Sequence, residues 1–235
     1  MACTEIEAQR DALFALLRER GAKLIGTASL EGVAEDANTT GLAVAVPVPK
    51  HIVEDLKTAP TKEYADMYGI LNDRLDDIVL AGEAFLKKLG YTAEAHTVAA
   101  TKSNSAWRTK LPHKTVATRA GLGWIGKSCL LVTPEYGSAI RLSSLVTNAP
   151  LPAGKPITES RCGACDICVR SCPAKALSGA LWEAGMERDK LLNTVDCEKK
   201  QRERMREATG VDRDLCGLCF AVCPYTARYL KSAAD

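Results

Sequence analysis

The sequence predicts an α+β protein in two parts: a mixed α/β domain over residues 1–155 and a cysteine-dense module over 156–235. Three observations carry this. In the first part, helical and strand-like segments mix without strict alternation. Of ten cysteines, only Cys3 and Cys129 lie outside the span 162–223. Between the parts, "NAPLPAGKP" (148–156) supplies three prolines and a glycine, the composition of a linker or an extended crossing. At 235 residues the chain can bury a core in one domain or two.

The elements follow in order. Thr4 and Glu7 make a capping box, and Ile6, Leu13, Leu16 and Leu17 set a helix that stops at Gly21. "KLIGTASL" and "GLAVAVPVP" read as strands, the second apolar enough to be buried. From 61 to 90, Tyr64, Met67, Tyr68, Leu71, Leu75, Ile78, Val79 and Phe85 recur at helical spacing until Gly90. "HKTVATRA" reads as a short helix started by Pro112. "CLLVT" and "AIRLSSLVT" read as two strands joined around Gly137. Net charge is +2, too small to announce a nucleic-acid partner. "MACTEIEAQR" lacks the apolar core of a signal peptide, and no apolar run reaches membrane-spanning length. A soluble, cytoplasmic protein is expected. There cysteines serve metals or chemistry before disulfides.

"AGLGWIGKS" (120–128) fits two phosphate-binding patterns. Gly121, Gly123 and Gly126 spell G-x-G-x-x-G; Gly121, Gly126, Lys127 and Ser128 spell the P-loop. Both need a strand before and a helix after, so that helix N–H groups face phosphate. Here the helix comes first. Gly121 then sits at a helix C-cap, and the segment is a helix-to-strand turn with Trp124 in the core. From Ala95 to Pro134 there is no acid, against Lys102, Arg108, Lys110, Lys114, Arg119, Lys127, His96 and His113. That suits an anionic ligand meeting bare glycine backbone, or else a basic exposed loop.

"CGACDICVRSCP" places Cys162, Cys165, Cys168 and Cys172 before Pro173, the C-x2-C-x2-C-x3-C-P run of bacterial ferredoxins. "CGLCFAVCP" adds Cys216, Cys219 and Cys223, and Cys197 completes a second set. By ferredoxin logic Cys162, Cys165, Cys168 and Cys223 hold one 4Fe–4S cluster, and Cys172, Cys197, Cys216 and Cys219 the other. Zinc sites pair C-x2-C units and have no use for the third cysteine or the C-P ending. "CEKKQRERMREATG" (197–210) reads as a solvated helix with Glu198 four residues before Arg202. The few residues after Cys223 leave no further domain expected. Cys3 reads as a loose thiol and Cys129 as a small buried apolar residue.

The stretch "HKTVATRAGLGWIGKSCLLVTPEYGSAIRLSSLVTNAPL", followed by "CGACDICVRSCPAKAL", resembles the epoxyqueuosine reductase family and its reductive-dehalogenase relatives. The resemblance runs from about residue 60 to the end. It implies two 4Fe–4S clusters passing electrons to a cobalamin bound base-off, with flavin as the alternative cofactor. The basic stretch and its glycines make Trp107, His113, Lys114, Arg119, Gly121, Gly123, Trp124, Gly126 and Lys127 the candidate contacts, with Tyr64 and Tyr68 beside them.

The sequence also departs from the family. Where the family has an acid in a D-T-G-P context, "SAWRTKLPHKTVATRAG" has none, and His113 is the nearest candidate proton donor. The family's tRNA-binding repeats are missing, so a tRNA substrate is not expected. The implied partners are an electron donor such as ferredoxin or flavodoxin and a small-molecule substrate. The alternative is an electron-transfer, corrinoid-binding or reactivating protein with no substrate chemistry of its own.

Overall fold

The computed structural model describes residues 2–33, 39–102, 104 and 108–233. Contacts divide the chain into two compact units that are not contiguous in sequence. The first is Met1–Val46, Leu71–Leu122 and Arg141–Ile157; the second is Pro47–Ile70, Gly123–Ile140 and Thr158–Asp235.

The first unit opens with helix α1, Ala2–Glu19. Thr4 lies inside this helix, so the expected capping box does not start it. Leu13 and Leu17 are fully buried. Gly21, at φ 101°, ends the helix as expected: its N–H donates to Arg18 O and the next N–H, from Ala22, to Leu17 O. Strand β1, Leu24–Ser29, pairs antiparallel with β2, Thr40–Pro47, from Leu24↔Ala45 to Ser29↔Thr40. As its continuous apolar run predicts, β2 is buried from Thr40 to Val46.

Helix α2, Lys50–Asp55, belongs to the second unit. Helix α3, Lys62–Lys88, begins there and ends in the first unit. In the first unit Leu71, Leu75, Ile78, Val79 and Leu86 of α3 face inward. Phe85, expected on that face, is only half-buried, because the stripe drifts round to Leu86. Gly82 lets this helix lie close to the sheet: a Cβ there would come within 2.8 Å of Leu145 Cδ2.

Strand β3, Ala93–Ala95, pairs antiparallel with β6, Ile140–Thr147, and the sheet order is β1-β2-β6-β3. Helix α4, His113–Arg119, packs Val116, Ala117 and Thr118 into the core. The proline-rich stretch is an ordered extended crossing. Thr27 Oγ1 donates to Pro152 O, Gly154 N–H to Thr27 O at 2.7 Å, and Ile157 N–H to Thr118 O at 2.9 Å.

In the second unit, β4, Trp124–Ile125, and β5, Leu131–Val132, form a separate two-stranded sheet. The expected strands on either side of Gly137 both exist, but they do not share a sheet. Thr133 and Gly137 bridge at the turn, after which the chain leaves for β6. The remaining helices are short: α5, Ile167–Ser171; α7, Leu218–Ala221; and α8, Pro224–Lys231. Only α6, Thr194–Thr209, is long, capped by Asn193 and closed by Gly210 in the left-handed region. Its Glu198–Arg202 pair forms at 3.0 Å. Among the described residues no helix is long and apolar enough to cross a membrane.

Candidate functional site: two thiol sets and a glycine turn

All eight clustered cysteines lie in the second unit and are neither fully buried nor exposed. A tight turn brings Cys165 N–H to Cys162 O at 3.1 Å, and α5 carries Cys168. The first turn of α6 presents Cys197, whose sulfur accepts from Gln201 Nε2 at 3.2 Å. Cys219 rides on α7, and Cys223 starts α8 ahead of Pro224 at its first position.

The thiols sort themselves by mutual electrostatics. Cys168 feels Cys162, Cys223 and Cys165, and Cys223 feels Cys162 and Cys165. Cys197 feels Cys172 and Cys216; Cys219 feels Cys216 and Cys197 most, then Cys168 and Cys172. Burial, followed by these neighbours, pushes the Cys168 thiol up to about 11. It also raises Cys197, Cys223 and, furthest, Cys219. Such thiols become thiolates only against a compensating cation, which is what a metal centre supplies.

Among the described residues, no three His, Cys, Asp or Glu side chains form a group able to hold one metal ion. A cubane sets its thiolates wider apart than a single ion does, because each binds a different iron. The donor set, all sulfur and four plus four, therefore fits iron–sulfur clusters.

The glycine segment has the order its sequence implied. Helix α4 ends at Gly121, φ 79°, with Gly121 N–H donating to Thr118 O at 3.1 Å and Leu122 N–H to Ala117 O at 3.0 Å. A strand hairpin follows, so no helix begins directly after the glycines as a P-loop requires. Protein fills the space each glycine leaves. A Cβ on Gly121 would stand 2.6 Å from Lys155 O, and on Gly123 2.2 Å from Val132 O. On Gly126 it would stand 2.7 Å from Val132 Cγ2 and 3.4 Å from Cys162 Sγ. Close approach of other parts of the chain thus accounts for the lack of a side chain at all three.

The other candidates are dispersed. Trp124 is 1% exposed, edge-on to Tyr225 at 4.9 Å and beneath the Arg161 guanidinium at 5.6 Å. Arg119 donates to Ser29 O and Glu31 O, so it ties down the β1 end. Lys114 is half-buried, Lys127 is buried, and Trp107 lies outside the described residues. Tyr64 packs against Tyr68 and Phe220 in the second unit, and Arg213 caps Tyr68. Cys129 is buried, as expected.

His113 is in the first unit. Its Nδ1 shares a hydrogen bond with Ser144 Oγ at 2.9 Å, and that hydroxyl also reaches His96 Nδ1 at 3.4 Å. Arg141, held by Asn72 Oδ1 at 2.8 Å, stands nearby. Burial first, then His96 and Arg141, lowers the His113 pKa to about 4. The ring is neutral at pH 7, so it holds no ready imidazolium proton. Sequence reasoning missed His96, Ser144, Arg141 and Asn72 as its partners. The only signal was a pair of serines inside the apolar run of β6.

The thiol sets define a class: an iron–sulfur protein with a double-cluster module. In agreement, the 4Fe-4S double cluster binding domain matches residues 161–226. The chain is also similar to epoxyqueuosine reductases. That of Bacillus cereus is 38% identical over 117 residues, 49% of this chain and 30% of its own length. That of Lactococcus garvieae is 34% identical over 167 residues, 68% of this chain and 42% of its own. The matches thus span less than half of these relatives' length. Two solved structures share the fold. The catabolic reductive dehalogenase NpRdhA has TM-score 0.73 at 20% identity, covering 92% of this chain and 32% of that one. An epoxyqueuosine reductase has TM-score 0.63 at 22% identity, covering 94% and 66%.

Proposed function

We propose that this chain is an iron–sulfur redox protein whose two 4Fe–4S clusters feed a second cofactor, cobalamin before flavin. The N-terminal α/β domain, residues 1–155, would hold that cofactor; residues 156–235 form the cluster module. Cys162, Cys165, Cys168 and Cys223 hold the first cluster; Cys172, Cys197, Cys216 and Cys219 hold the second. The observation that carries this is the four-plus-four sorting of the thiols, with Cys223 joining the N-terminal run. When bound, the clusters supply one-electron transfer; the chain's part is to hold and shield them.

Cobalamin is supported by a fold shared with a reductive dehalogenase whose structure suggests a mechanism for B12-dependent dehalogenation. It is also supported by the acid-free stretch 95–134. Of the candidate contacts, His113 and Lys114 are half-buried side chains at the start of α4 that would meet it. An electron donor of the ferredoxin or flavodoxin type and a small substrate in the cytoplasm complete the reading. The net charge of +2 gives little attraction for a polyanion such as tRNA.

The test is anaerobic purification with iron and sulfide analysis, then separate absorbance titrations with cobalamin and FMN. About eight irons and eight sulfides, with one cofactor bound, are expected. Zinc without acid-labile sulfide would sink the cluster reading. Intact clusters with neither cofactor bound would leave electron transfer or corrinoid reactivation, which the neutral His113 favours.

A further inference from the structure

We infer that the Trp124 indole N–H donates a hydrogen bond to a sulfur of the first cluster and raises that cluster's potential. The inference rests on the cluster reading above and on strand β4. Trp124 is 1% exposed, and its Nε1 is shielded from water with no acceptor among the described residues. A buried indole N–H ordinarily finds a partner, because a bond left unmade carries the full desolvation cost of the group. A purely apolar core position would take phenylalanine or leucine without that cost. The orphaned donor therefore points to an acceptor that a bound group supplies.

The surroundings of the ring say which group. Sequence neighbours of two first-cluster ligands bracket it. The Arg161 guanidinium, next to Cys162, lies over it at 5.6 Å, and Tyr225, two residues after Cys223, meets it edge-on at 4.9 Å. The β4 ladder continues through Gly126, whose N–H donates to Leu130 O at 2.9 Å. Side chains alternate along a strand, so Trp124 shares a face with Gly126. A Cβ on Gly126 would stand 3.4 Å from Cys162 Sγ, so that face is turned to the first thiol set. The Cys223 sulfur already accepts from the N–H groups of Tyr225 and Thr226. Trp124 adds a donor at the same corner. A cluster gains one negative charge with the electron it accepts, and hydrogen bonds to its sulfurs favour that state.

The test is an EPR-monitored titration of the anaerobic holoprotein with dithionite, comparing wild type with Trp124→Phe. Phenylalanine keeps an aromatic ring against Tyr225 and removes the N–H. The first cluster's reduction equilibrium should fall about tenfold, about 59 mV for a one-electron couple, with the second unchanged. A Phe variant with full iron and sulfide and an unmoved first potential overturns the inference. So does an equal shift of both clusters, which a loosened core would give. If the variant fails to take up clusters, wild-type protein isotopically labelled at the indole nitrogen decides. Pulsed EPR of the reduced first cluster should then show a coupling to that nitrogen which survives Trp107→Phe and Trp182→Phe. Its absence, or its loss in either of those variants, overturns the inference. Wild-type protein lacking sulfide would instead overturn the cluster reading itself, whatever the variants do.

Discussion

The two compact units hold themselves together by different means. The first closes an apolar core between a four-stranded sheet and helices, with Leu13, Leu17, Leu42, Val44, Ile78, Val79 and Leu145 fully buried. The second runs from Thr158 to its end with isolated bridges, short helices and one longer charged helix. At its centre are thiols whose burial raises their pKa values. Apolar burial needs regular elements to satisfy the backbone; ligand bonds do not, and irregular chain can be fixed by them.

The sharpest way to break this comparison is to remove iron. Chelation under reducing conditions should strip amide protection from 158–233 while β2 and the second half of α3 keep theirs. Structural metal sites contribute on the order of 10 kcal/mol to folding, more than a stretch of short helices and isolated bridges can lose. Hydrogen exchange by mass spectrometry reads both units at once. Equal protection before and after iron removal would erase the distinction.

A second effect belongs to the first unit alone. His113 has its folded pKa lowered to about 4 from 6.5, by burial first. As pH falls, the unfolded chain takes the proton before the folded one does. Stability is therefore whole above about 6.5 and declines down to about 4, by roughly 3 kcal/mol. Urea unfolding at several pH values, compared with His113→Gln, isolates this slope. A variant as pH-sensitive as the wild type would show that His113 is not its source.

Much of the fold was legible in the sequence, because it rested on local rules. The apolar run of β2, the helical stripe of α3 and the closing glycines 21, 90 and 121 each depend on a few neighbouring residues. So did the helix-then-strand order that removed the P-loop reading. The cysteine spacing told the module apart because the C-x2-C-x2-C-x3-C-P run is a local pattern that cluster ligation, and not zinc binding, uses. What could not be read was long-range. That β5 and β6 belong to different sheets, and that Ser144 joins His96 to His113, depends on chain brought from far away. The glycines were visible, but the space they clear is taken by Lys155 and Val132, which no spacing rule names.

Two substitutions sharpen the glycine argument. Gly123→Ala would press a methyl against Val132 O, backbone that cannot move aside cheaply. It should cost about 1–3 kcal/mol and distort the hairpin whose tip abuts Cys162. Gly69→Ala, in the same unit but with nothing within 4 Å, should be neutral or stabilising by about 0.5–1 kcal/mol. Thermal melts of the two variants decide it. A harmless Gly123→Ala would mean the hairpin is looser than its geometry requires.

The smallest effect probes how far ligand bonds replace ordinary helix chemistry within the second unit. Asn193 caps α6: its side chain accepts from Asp196 N–H at 3.2 Å, and its own N–H donates to Ala176 O at 2.9 Å. Asn193→Ala leaves the backbone bond and removes the cap, a loss of about 1 kcal/mol. The first turn so loosened carries Cys197, while Cys162, Cys165, Cys168 and Cys223 lie on other segments. Reconstitution followed by EPR should therefore show slower or incomplete assembly of the proposed second cluster and an unchanged first. If both clusters form at the wild-type rate, the iron–thiolate bond at Cys197 orders the helix start by itself. If both slow together, the two sets assemble as one cooperative body, which the reach of Cys219 to both Cys168 and Cys172 makes the natural alternative.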